Sequence, residues 1–89
     1  MLEYHAAYYW DEKSKWFTAK VLDFPGALSQ GRTLKSARRM IRDALRLVAE
    51  SHVEEGHALP QPNPRAEDKT ADFQELIPLR FRARCGSVS

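Results

Sequence analysis

A chain of 89 residues, 43% apolar and 29% charged, has an ordinary globular composition and enough length for one hydrophobic core, which excludes a second domain of any size. Its single cysteine, Cys85, excludes an intrachain disulfide framework and a multi-thiolate metal site and fits a reducing, cytoplasmic setting. The net charge of +2 argues for no particular partner, and no stretch reaches the roughly 20 apolar residues of a membrane span or resembles an export leader.

Residues 2–10 are dense in aromatics, and residues 16–22 alternate between apolar and polar, so both read as strands. The polar run Asp11-Glu12-Lys13-Ser14-Lys15 makes the turn of a hairpin. In the second strand Phe17, Ala19 and Val21 share one face and Trp16, Thr18 and Lys20 the other, the pattern of a sheet covered on one side. Strict alternation sets Tyr4, Tyr8, Trp10 and Trp16 mostly on the uncovered face. Pro25-Gly26 interrupts the second strand, residues 27–30 return as a short third strand, and Gly31 closes it.

Thr33 is a good N-cap for a helix beginning at Leu34. Leu34, Ala37, Met40, Ile41, Ala44, Leu45 and Val48 follow the helical spacing of three and four, and Gly56 suits the left-handed residue that ends a helix. A helix over 34–55 spans roughly 33 Å at 1.5 Å per residue, long enough to cover the sheet. Residues 57–72, with Pro60, Pro62 and Pro64, read as an extended connector. Alternation over 75–84, with Ile77, Leu79, Phe81 and Ala83 on one face, gives a fourth strand that Pro78 confines to an edge. The fold class is therefore α+β: a three-stranded antiparallel meander, one long helix packed on the sheet, then a fourth strand, all in a single domain over 1–89.

Asp23-Phe24-Pro25-Gly26-Ala27-Leu28-Ser29-Gln30-Gly31-Arg32-Thr33-Leu34 resembles the signature of the HicB antitoxin family, in which a strand runs into Asp-x-Pro-Gly, a short strand, Gln-Gly-x-Thr and the helix. The segment Glu54-Glu55-Gly56-His57-Ala58-Leu59-Pro60-Gln61-Pro62 is similar to the family's helix exit. The resemblance implies a partial ribonuclease H-like fold that binds and blocks a small mRNA-cleaving HicA-type toxin. Two departures stand out: Ser14-Lys15-Trp16 replaces the family's frequent Gly-Gly-Tyr, and ending at Ser89 leaves no room for the DNA-binding domain that usually follows. Toxin binding is thus expected without operator control.

His5, His52 and His57 lack metal-ligand spacing, and Glu3, Asp11 and Asp23 form no acidic constellation for two-metal chemistry, so neither an enzyme nor a cofactor is expected. The candidate partner-binding residues are Tyr8, Trp10, Trp16, Phe24 and Leu28, aromatic or apolar side chains near the hairpin and the third strand. A domain this small buries only about 60–65% of its unfolded surface, which favours association, with a homodimer as the simplest form. Arg38, Arg39, Arg42 and Arg46 form a helical stripe beside the apolar one, and nucleic-acid binding by that stripe is the alternative function.

Overall fold

The computed structural model describes residues 2–80. Strands β1 (Glu3–Asp11), β2 (Trp16–Val21) and β3 (Leu28–Gly31) precede the helix α1 (Leu34–Glu54), and β4 (Phe73–Pro78) follows it. All four strands join one antiparallel sheet in the order β3-β2-β1-β4. The expected α+β architecture is therefore present. The fourth strand runs over 73–78 rather than 75–84, and the positions of Phe81 and Ala83 lie outside the described residues. Pro78 pairs with Glu3 on an edge strand, where a missing N–H leaves no neighbour short of a donor.

The hairpin turn closes on itself. Lys15 takes a positive φ of 61° and its N–H donates to the Asp11 carbonyl at 2.8 Å, while the Asp11 carboxylate accepts from the Lys13 N–H and the Ser14 hydroxyl. This fixes the register Tyr8 opposite Ala19 and Trp10 opposite Phe17. The register settles which face β1 buries, because opposed residues point the same way. Tyr4, Ala6 and Tyr8 join Ala19, Val21 and Ile77 beneath the helix, all buried.

That corrects the sequence expectation for Tyr4, Tyr8 and Trp10, which lie on the helix side; only Trp16 points the other way. Both parities of β1 carry apolar side chains, so period-two alternation is blind along this strand.

Helix α1 begins as its sequence dictates: the Thr33 hydroxyl accepts from the Ser36 N–H at 3.0 Å. It ends with Gly56 at φ 77°, the Gly56 N–H reaching the Val53 carbonyl and the His57 N–H the His52 carbonyl, the paired bonds of a Schellman motif. Ala37, Ile41, Leu45 and Ala49 form the buried line of the helix. Met40, expected in that stripe, sits on its flank and is 40% exposed.

The helix crosses β3 closely enough that a Cβ on Gly31 would lie 2.8 Å from the Ala37 Cα. Gly31→Ala must push backbone from backbone, and overpacking of this kind costs about 1–3 kcal/mol. The expected outcome is a lower urea midpoint with an unchanged m-value; an unchanged midpoint would mean that β3 and α1 separate freely.

Candidate partner-binding surfaces

Asp23 follows β2 and its side chain is only 2% exposed. It accepts from the His5 backbone N–H at 2.8 Å, from His5 Nδ1 at 2.9 Å and from the Asn63 N–H at 3.0 Å. An ionised carboxylate has no proton to donate, so the His5 Nδ1 carries the hydrogen. Burial alone would raise the Asp23 carboxyl, but the donors from His5 and Asn63 outweigh it and hold the group below the usual aspartate value.

Through these bonds the connector is drawn round the sheet. Pro60 accepts from the Tyr4 hydroxyl at 2.7 Å on the helix side, and Asp68 then accepts from the Tyr9 hydroxyl at 2.6 Å on the other. Gln74 ties down the same stretch, donating to the Ala66 carbonyl and accepting from the Asp68 N–H. The hydroxyls of Tyr9 and Thr70 lower the half-buried Asp68 carboxyl to about 2. The connector thus covers the back of β1 and reaches Gln74 of β4, and Ala7 beneath it is fully buried. The back of β2 and β3, with Trp16, Thr18, Lys20, Leu28 and Gln30, stays open.

The basic stripe is divided. Arg38 grips Glu75 of β4 through Nε and Nη2 at 3.0 and 2.8 Å, and Glu75 also accepts from the Tyr8 hydroxyl at 2.7 Å. Burial, reinforced by Glu75, pushes the Tyr8 hydroxyl well above its ordinary value. Arg46 lies 3.6 Å from Asp43. Lys35, Arg39 and Arg42 have no carboxylate partner among the described residues, and with Arg38 and Asp43 they line an open groove of about 410 Å³.

Comparison with solved structures finds a likeness in fold. The crystal structure of the N-terminal domain of Burkholderia pseudomallei antitoxin HicB superposes with a TM-score of 0.74 and 22% identity, covering 89% of this chain and 99% of that one. The chain has the HicB N-terminal fold. No family model and no curated protein sequence matches. Among the described residues, no group of three or more His, Cys, Asp or Glu is placed to hold a metal ion, and no helix is long and apolar enough to cross a membrane.

On this HicB-like frame the candidate residues fall into separate places. Phe24 is fully buried, its ring 5.2 Å from those of Tyr4 and His52, because Gly26 at φ 97° turns the loop inward. It and the buried Tyr8 are core residues that no partner can touch. Trp10, 38% exposed, packs its ring at a tilt against Phe17 on the helix side. Trp16, beneath Arg32, shares a groove with the 62% exposed Leu28 on the β3 flank. Exposed surface is therefore offered in two patches rather than one.

Sequence reasoning missed the His5–Asp23–Asn63 junction, since an aspartate before Pro-Gly reads equally well as turn material, and Asn63 lies 40 positions away. Asp23→Asn leaves one acceptor oxygen against three donors, a loss of about 1–3 kcal/mol. A carboxyl depressed by folding contributes stability that is complete above its unfolded value and disappears as pH falls from that value through the folded one. Urea unfolding between neutral pH and pH 3 is expected to show wild type losing this contribution, while Asp23→Asn starts lower and has a shallower acid slope; parallel curves would deny the carboxylate its role.

Proposed function

We propose that this chain is a cytoplasmic, non-catalytic antitoxin domain of the HicB type that binds a small mRNA-cleaving HicA-type toxin and acts by occluding it. The observation that carries the reading is the structural likeness, which spans 99% of the antitoxin's N-terminal domain. The chain's own Asp-x-Pro-Gly and Gln-Gly-x-Thr segment supports it. In that segment Asp23 pins the turn, Gln30 and Gly31 belong to the edge strand, and Thr33 starts the helix. Occlusion needs a stable platform with aromatic anchors within a partner's reach and no cofactor, and the exposed Trp10 and the half-buried Trp16 are such anchors on opposite faces.

The test is co-expression with a small toxin encoded beside this chain, followed by isolation of the complex and an RNA-cleavage assay. A stable complex and suppressed cleavage are expected. Truncation of the tryptophan inside the interface, Trp10→Ala or Trp16→Ala, is expected to weaken binding at least about 30-fold, since a hot-spot side chain contributes about 2 kcal/mol or more. The other truncation should leave affinity unchanged. Absence of any complex would overturn the reading.

The groove lined by Lys35, Arg38, Arg39 and Arg42, with Asp43 beside Arg46, favours one second reading, nucleic-acid binding. With Arg38 engaged by Glu75, the groove has the charge for about three phosphate contacts, so log affinity should fall against log salt with a slope of about −3. Binding to duplex RNA or DNA that is undetectable at 50 mM salt, or that ignores salt, would remove this reading.

A further inference from the structure

The two edges of the sheet differ in what protects them. On the β4 edge, Arg38 clamps Glu75 and Pro78 removes a donor. On the other edge β3 reads Leu-Ser-Gln-Gly, with no charge and no proline, the devices that usually discourage one strand from pairing with another. Its hydrogen bonding is half spent. The Val21 N–H donates to the Ala27 carbonyl, so by antiparallel alternation residues 27, 29 and 31 face β2, while the N–H and C=O of Leu28 and Gln30 point outward.

The same flank is apolar above the strand. Met40 lines the groove with Trp16, Leu28 and Gln30. Leu47, seven residues on and so nearly in line with Met40 along the helix, is 58% exposed. Arg38, which meets β4, lies on the opposite flank of the helix from both.

We propose that this flank binds a second copy of the chain, β3 pairing antiparallel with β3 about a two-fold axis at Ser29. Leu28 of each copy then exchanges N–H···O bonds with Gln30 of the other, and the sheet runs continuously from one β4 to the other. A two-fold partner is the occupant that fits, for three reasons. An uncharged strand meets itself without like-charge repulsion, and the pair Leu28 and Gln30 is self-complementary in donors and acceptors about Ser29. Helix α1 packs on β3 and β2, inboard of the edge. With strands about 4.8 Å apart, the two helices come to lie on the order of 10 Å from one another, the distance at which helices pack. Met40 and Leu47 then fill the seam.

This assembly does not depend on toxin binding, and it is measured on the chain alone. Sedimentation equilibrium of the full chain is expected to give twice its 10.2 kDa mass. Gln30→Pro removes an outward N–H without touching the β2 ladder, and Leu47→Glu places a charge in the seam at a position already exposed. Each is expected to yield the monomer mass, with an unchanged far-ultraviolet circular dichroism spectrum. Leu76→Glu, on the exposed back of β4, is expected to leave the mass doubled. A wild-type mass other than the doubled one, a doubled mass that survives Gln30→Pro or Leu47→Glu, or a dimer dissolved by Leu76→Glu would each overturn the proposal.

Discussion

The Asp23 carboxylate joins segments that the sequence keeps far apart. His5 on β1, the loop after β2 and Asn63 in the connector all end within 3.0 Å of its oxygens. Removing a carboxylate from water is costly, and the cost is offset here because donors occupy both oxygens. The same bonds fix the connector's path. A chain leaving the helix at Gly56 has to reach β4 on the far edge of β1, and the pull of Asp23 on Asn63 sends it behind the sheet instead of along the helix side.

From that route follows the division of the back face. The stretch past Asn63 lies over β1 and the start of β4, where Tyr9 and Gln74 anchor it and Ala7 loses all contact with solvent. A sheet with one helix was expected to expose its whole second face, and the connector removes part of that surface. What remains lies mainly on β2 and β3, with Leu76 exposed on β4. Exposed apolar area concentrated on one edge is more informative than the same area scattered, since single surface hydrophobes are common and contiguous ones are not.

The order of elements, both helix caps and the edge position of Pro78 were legible in the sequence because each rests on local chemistry: a hydroxyl beside orphan N–H groups, a glycine at positive φ, a proline without a donor. The facing of β1 was not. Tyr4, Ala6 and Tyr8 compete with His5, Ala7 and Tyr9 for the covered side, and only the register with β2 decides between two nearly equal patterns. Phe24 was misjudged for a related reason, since an aromatic in a turn is inward or outward according to the loop's path, which Gly26 and the Asp23 junction set together. The partition of the arginines was equally hidden, because Glu75, the partner of Arg38, lies 37 positions downstream.

That partition explains why the helix is asymmetric in what it offers. Arg38 reaches over Phe73, 5.8 Å from the ring, to hold Glu75, so this side of α1 is tethered to β4 by a bidentate pair that also receives the Tyr8 hydroxyl. On the other side contact comes from the close approach of Ala37 to Gly31, where small residues bring the helix down onto β3. A helix held low at β3 leaves no depth there for a large side chain to turn inward. Met40 and Leu47 are consequently displaced to the flank, and the packing that seats the helix is also what exposes its apolar edge.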